Sequence, residues 1–529
     1  MSDYGSLIST INELYNRKEV VEQCKPIPGF PFPFMYTGQK KALEEMNGVK
    51  SVLLCSHTGS GKTAVFTTAT REEATLIIEP RKFLQKQVSK LHGDFILYGR
   101  REYKCKFAAH AGIAPCLQKT KCTDTYFIDE CEDFKAKCKT SPCKVFLSGN
   151  SIYRYPCDDC EYIVAQNNAM SVLRGNGTVI CNFGNFWNLL KSADTVVVDE
   201  ADLFFKEISA PQVLYSAGGL TDIKQMLEVE IRDIQEQIKN STAYTHYKLQ
   251  NLLYKIQFLH DNHEICFSYI KVDRKTKKEK VYVEINPMNT NVLKDRLFQG
   301  KRVLIVTATP TNFNLPSISY SVWQRCGIYY VPQGKLTSRE LNLRPYLLEH
   351  AATFIEGMSN IFEGIYASKK FVVHCGNIGN HATKIEALLD PIDPKNPNKP
   401  KKCVLHEAGN LMGTIDRFMD SDKRYLLVAS AEYGADFTWC QCQFVLKFPY
   451  ANYDERMKAL ERSVGKAKFK ELYTGDAISR LIQQCGRVGR GAGSFGCTFI
   501  LDAKFREIYQ EYSDVFPDWF KMRLHSGVF

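Results

Sequence analysis

Short, strongly apolar runs alternate with amphipathic helical stretches along most of the chain, a pattern that confines it to parallel sheets flanked by helices. In the first half the runs are Ser51–Cys55, Thr75–Glu79, Val179–Cys181, Thr195–Asp199 and Val303–Thr307. In the second half they are Phe371–Cys375, Val404–His406, Tyr425–Ala429, Gln443–Lys447 and Cys497–Leu501. The expectation is an α/β chain with two doubly wound domains in tandem. No repeat of fixed period appears. Two stretches interrupt the alternation: residues 99–162, rich in Cys, Lys, Asp and Thr, and residues 206–263, which read as strongly helical. In the latter, Ile223–Lys239 and Tyr247–Leu259 carry apolar residues three and four apart. A hairpin-like pair, Ile265–Val272 and Lys280–Ile285, follows, and Asp390–Lys402 reads as a solvated, proline-rich basic loop.

At 529 residues the chain is long enough for several folding units. Its 44% apolar and 24% charged residues fit a globular protein. Lysine plus arginine exceed aspartate plus glutamate by 69 to 58, a net +11 that favours a polyanionic partner without requiring one. Met1 to Val20 is polar and charged, unlike a secretory leader, and no apolar run is long enough to span a bilayer. Of 19 cysteines, those at 105, 116, 122, 131, 138, 143, 157 and 160 crowd into one stretch. A reduced, intracellular compartment and a metal site explain that crowding better than a disulfide scaffold. The expected location is cytoplasmic, or nuclear in a eukaryote.

Ser56-His57-Thr58-Gly59-Ser60-Gly61-Lys62-Thr63 follows a strand and opens a helix. It is a P-loop with serine in place of the first glycine, whose small residues let backbone N–H groups approach phosphates. Lys62 would neutralise the β and γ phosphates of ATP, and the Thr63 hydroxyl would ligate Mg2+. Thr195–Asp202 supplies a buried strand ending in carboxylates: Asp199 to hold the magnesium, Glu200 to orient and deprotonate the attacking water. Upstream, Gln39 is a candidate reader of adenine. Gln483-Gln484-Cys485-Gly486-Arg487-Val488-Gly489-Arg490 places two arginines three apart. As arginine fingers, Arg487 and Arg490 would each stabilise charge on the transferring phosphoryl group, a role worth roughly three to five orders of magnitude in rate.

These motifs lie in the order found in superfamily-two helicases. Glu79-Pro80-Arg81-Lys82-Phe83-Leu84-Gln85-Lys86-Gln87 resembles their backbone-gripping strand end. Thr307-Ala308-Thr309 resembles the motif coupling hydrolysis to movement, and Gly434-Ala435-Asp436-Phe437 precedes the Gln483–Arg490 motif. Further details resemble the XPD/DinG family of iron–sulfur DNA helicases: Gly99–Cys105 is similar to its "GR-x-x-Y-x-C", Cys160-Glu161-Tyr162 to its "C-x-Y", and Asn182-Phe183 to its "N-[YF]". Gly434–Phe437 is similar to its "G-x-D-F", and Lys447–Tyr450 to its "K-x-P-[FY]". Two departures stand out. The acidic motif ends in Asp202, where the family usually has His, and the helical insert is shorter than the family's arch.

The resemblance implies two tandem RecA-like P-loop motor domains. The first would comprise residues 1–100, 163–205 and 264–312, interrupted by a Cys-rich cluster insert (101–162) and a helical arch-like insert (206–263); the second spans 313–529. It adds Asp436 to the nucleotide-binding set and Gln483 to the catalytic set, and places Pro80, Arg81 and residues near Thr309 and Asn377 on the nucleic acid. It also implies a four-iron, four-sulfur cluster held by Cys105, Cys116, Cys122 and Cys160, with Cys143 or Cys157 as alternates. The rival metal is zinc, since Cys157-x-x-Cys160 has zinc-like spacing. The function expected is ATP-dependent 5′ to 3′ translocation on single-stranded DNA and unwinding of tailed duplexes. The Asp-Glu-Ala-Asp letters keep an RNA helicase or RNA–protein remodeller open. An ATP-switched binding scaffold is the alternative of another class. Protein partners cannot be read from the residues.

Overall fold

A computed structural model describes residues 5–17, 22–57, 59–80, 82–92, 95–99, 102–103, 161–215, 219–239, 243–272, 279–287, 290–309, 315–320, 322, 325–376, 381–391, 401–407, 410–429, 437, 439–489 and 494–525. A small antiparallel ribbon, β1 (Gln23–Cys24) and β2 (Met35–Tyr36), precedes the first large sheet. Then come β3 (Ser51–Cys55), β4 (Thr75–Ile78), β5 (Phe95–Leu97), β6 (Thr178–Cys181) and β7 (Thr195–Val198). β8 (Gln212–Leu214), β9 (Cys266–Val272) and β10 (Glu279–Ile285) form a separate antiparallel sheet in the order β8-β10-β9. β11 (Arg302–Thr307) and β12 (Ser317–Ser319) return to the first sheet, ordered β12-β3-β11-β7-β4-β6-β5 with every neighbour parallel.

The second sheet is built from β13 (Arg325–Tyr330), β14 (Phe371–His374), β15 (Cys403–Leu405), β16 (Tyr425–Val428), β17 (Cys442–Val445), β18 (Phe495–Ile500) and β19 (Leu524–His525). Its order is β15-β16-β14-β17-β18-β13-β19, again all parallel. The expected two-domain α/β architecture is therefore present.

The physical cause is continuous burial. Every residue of β4, β6, β7, β14, β16 and β17 is buried, as helices covering both faces of a parallel sheet demand. Alternate residues feed opposite faces: Leu76, Ile78, Val196 and Val198 enter one core, Ile77 and Val197 the other. In the second domain Phe371 and Val373 face one core and Val372 another. Each such side chain, fully buried, stabilises the fold by about 1.5–3 kcal/mol.

Two placements were not legible from the alternation. The helix Gly5–Asn16, grouped above with the first domain, puts Leu7 and Ile11 into the second domain's core. The helices Ile223–Lys239 and Ala243–Asp261 do not stand apart as an arch would. Their Met226, Leu227, Ile234, Leu253, Ile256 and Leu259 join the same core as Val196 and Val198. No helix among the described residues is long and apolar enough to cross a membrane.

Candidate functional site

The carboxyl ends of β3, β4, β7 and β11 share one edge of the first sheet, so their loops converge. Behind β3, Ser56 is fully buried and its hydroxyl donates to the Tyr320 carbonyl (2.5 Å). The Val322 N–H lies 3.0 Å from Nε2 of buried His57. The P-loop is thus stapled to the strand beside it, which explains serine at its first position. Gly59 and Gly61 both have positive φ, 82° and 79°. Lys62 opens the helix Lys62–Ala69 and folds back onto the loop, donating to the carbonyls of Ser56 (2.8 Å) and His57 (3.2 Å).

Gln39 is buried against this loop. Its Oε1 accepts from the Tyr36 N–H (3.0 Å) and its Nε2 donates to the Ser60 carbonyl (3.0 Å). Both ends of the amide are engaged within the protein, so its observed work is to tie the upstream helix to the P-loop. A Cβ on Gly61 would stand 2.4 Å from that Nε2.

At the end of β7, Asp199 Oδ1 accepts from the Glu200 N–H (2.9 Å). Glu200 has φ 49° and ψ 50°, a left-handed conformation rare for a side chain with a Cβ and costing roughly 1–3 kcal/mol. The turn bends the chain sharply into the helix Ala201–Ile208. Burial pushes the Asp199 carboxyl up to about 6, the Glu200 charge adds to the rise, and Lys62 opposes it. Glu79, fully buried at the end of β4, lies against Asp199.

Asp202 links three motifs. The Thr307 hydroxyl donates to its carboxylate (3.0 Å), as does the Thr309 hydroxyl, and the Thr309 N–H donates to Thr307 Oγ1 (3.1 Å). The Gln483 side chain of the second domain lies near the same carboxylate. Burial lifts Asp202 to about 6, with these hydrogen bonds limiting the rise.

A DEAD/DEAH box helicase model matches residues 36–109, and a helicase C-terminal domain model matches residues 382–523. A solved XPD helicase matches with a TM-score of 0.53 at 13% identity, covering 90% of this chain and 97% of that one. The chain carries two helicase domain signatures on an XPD-type fold. Xpd4 of S. tokodaii gives a TM-score of 0.46 at 12% identity over 92% of this chain and 99% of that one. No curated protein matches the sequence. The two matched domains support an ATP-dependent helicase-type enzyme.

In the helicase's second domain, Arg487 is buried just beyond the helix Lys466–Cys485, where its charge is felt by His374 of its own domain. A polar network absent from the sequence reading fixes that helix end. Gln443, fully buried on β17, donates through Nε2 to the Gln484 carbonyl (2.8 Å) and to Thr498 Oγ1 (2.8 Å). Its Oε1 lies 3.1 Å from Nε2 of His374, which burial lowers to about 4 and so keeps neutral.

Thr58, Arg81, Asn377, Asp436 and Arg490 lie outside the described residues, as do the cysteines at 105, 116, 122, 131, 138, 143, 157 and 160. Among the described residues no group of His, Cys, Asp or Glu is arranged to hold a metal cluster. The flanks of the Cys-rich insert are described and meet. The rings of Tyr103 and Tyr162 stand 5.6 Å apart. Tyr162 donates to Asn185 (2.9 Å), whose Nδ2 donates to the Tyr98 carbonyl (2.8 Å).

Proposed function

We propose that this helicase moves 5′ to 3′ along single-stranded DNA and separates duplexes, driven by Mg-dependent ATP hydrolysis between its motor domains. The observation that carries the reading is the Asp202 carboxylate, held by the Thr307 and Thr309 hydroxyls with Gln483 of the second domain close by. A change at the adjacent Asp199 and Glu200 on hydrolysis is thereby felt by the segment after β11 and by the second domain together. Lys62 turns from the Ser56 and His57 carbonyls to the β and γ phosphates. Glu200 takes the proton of the attacking water, and Arg487 and Arg490 enter with the facing domain as charge stabilisers.

Asp199 and Thr63 fit a magnesium ion, because two crowded carboxyls, one lifted toward protonation by burial, want a cation. When bound, the ion would offset the negative charge of the phosphates during transfer. For the insert we propose a four-iron, four-sulfur cluster with Cys105 and Cys160 among its ligands, and zinc as the rival. The Tyr103–Tyr162 contact supports this reading, since those two cysteines each lie two residues from a ring of the pair.

The test is unwinding of matched 5′- and 3′-tailed DNA and RNA duplexes. ATP-dependent separation of the 5′-tailed DNA alone is expected. Preference for RNA would favour the remodeller that Asp-Glu-Ala-Asp evokes, and no separation of any duplex would reject the unwinding claim.

A further inference from the structure

The hairpin β9–β10 has two apolar faces. Pairing sets Phe267 opposite Glu284 and Tyr269 opposite Tyr282, so these four side chains share one face. The other face carries Val281, Val283 and Ile285 into the first domain's core. The first face packs on the second domain instead: Phe267, Tyr269 and Tyr282 cluster with Met457, Leu460 and Phe469. Glu284, fully buried, meets Arg456 Nε at 2.7 Å. Phe469 lies near the start of the helix Lys466–Cys485, and Gln483, which lies near Asp202, is at its end. These points are separated by roughly 20 Å of one rigid rod at 1.5 Å per residue.

We propose that the Glu284–Arg456 dock is a persistent inter-domain pivot that positions the Gln483–Arg490 motif, the helix Lys466–Cys485 serving as its arm. The contact stays made while the cleft at the other end of the arm opens and closes. Glu284 and Arg456 are positioning residues: they act on ATP only through the helix. The proposal rests on the ATPase reading above, and unaltered protein that fails to hydrolyse ATP would count against that reading alone.

Two experiments test the dock. Arg456→Ala leaves a buried carboxylate unpaired, so turnover number should fall roughly tenfold or more while the KM for ATP stays within about threefold. The double replacement Glu284→Leu with Arg456→Met removes both charges and keeps the packing, and should restore turnover. Lower thermal stability with unchanged turnover in Arg456→Ala would overturn the positioning role. The second experiment remains decisive should that variant not fold. Glu284→Cys with Arg456→Cys, bridged by a short bis-maleimide, should keep at least half of its strand-stimulated ATP turnover. A tenfold loss on bridging, absent when Glu284→Cys alone and Arg456→Cys alone are treated alike, would show that the dock must open and would overturn the pivot.

Discussion

Glu200 is held in a left-handed turn that aims it away from the strand it follows, while Asp199 stays against Lys62 and Glu79. Replacing Glu200 by Gln should lower ATP turnover by roughly 10²–10⁴-fold, the usual reach of a general base, yet leave ATP binding intact. Lys62→Ala should instead weaken nucleotide binding and turnover together, because it removes the phosphate counter-charge. Equilibrium binding of a fluorescent ATP analogue separates the two, and equal loss of affinity in both variants would refute the division of roles.

His374 gives a second residue-level expectation. Its folded value, about 4, lies below the ordinary 6.5. Between those values the unfolded chain binds the proton that the folded one refuses, so stability falls as pH drops from 6.5 toward 4. Asp199 and Asp202, lifted to about 6, act in the opposite sense over part of that range. The comparison must therefore be between wild type and His374→Asn. The wild-type advantage in thermal midpoint at pH 7 should shrink by pH 4.5, and a pH-independent gap would contradict the burial argument.

At the scale of elements, the P-loop works as one piece with its surroundings. Gly61→Ala should lower ATP affinity at least tenfold, since φ 79° strains a Cβ and the Gln39 amide occupies its space. Isothermal titration with an ATP analogue checks this, and wild-type affinity would mean that the loop relaxes freely.

Such central elements were legible because their sequences leave one reading: Thr75–Ile78 and Thr195–Val198 are apolar after their first threonine and are followed at once by acids, Glu79 and Asp199. The strands passed over are of another kind. Phe95–Leu97, Ser317–Ser319 and Leu524–His525 are too short for a period to show. Arg325–Tyr330 starts on a charge and carries a glycine, and its identity comes from pairing with the distant Phe495–Ile500. Gln443 was hidden in the same way, because a glutamine inside a buried strand makes sense only once Thr498 and the Gln484 carbonyl stand beside it. Glu79 did carry a signal, an acid closing an apolar strand as Asp199 does, but its approach to Asp199 depends on the sheet order.

Across the whole molecule, motif order named the machine, while the way the parts meet was set by tertiary contacts. The period of Ile223–Lys239 fixed a helix, yet nothing local said that its apolar side would fuse with the first domain's core. Likewise the alternation in Cys266–Val272 predicts a strand without revealing that both its faces are used.

If the insert holds an iron–sulfur cluster, anaerobically purified protein should be brown and contain about four irons per chain. Cys105→Ser or Cys160→Ser should bleach it and impair unwinding more than ATP hydrolysis. Stoichiometric zinc without iron would replace the cluster and leave the ATPase account standing. Affinity for single strands should also fall steeply with salt, the slope reflecting roughly 0.7 counterions released per phosphate contact.

The most direct measurement of the central claim is ATP turnover by purified protein with and without single-stranded DNA, run beside Glu200→Gln. The account predicts slow basal hydrolysis, at least tenfold stimulation by the strand, and near-zero turnover in the variant under both conditions. Turnover indifferent to nucleic acid, or retained by Glu200→Gln, would contradict it.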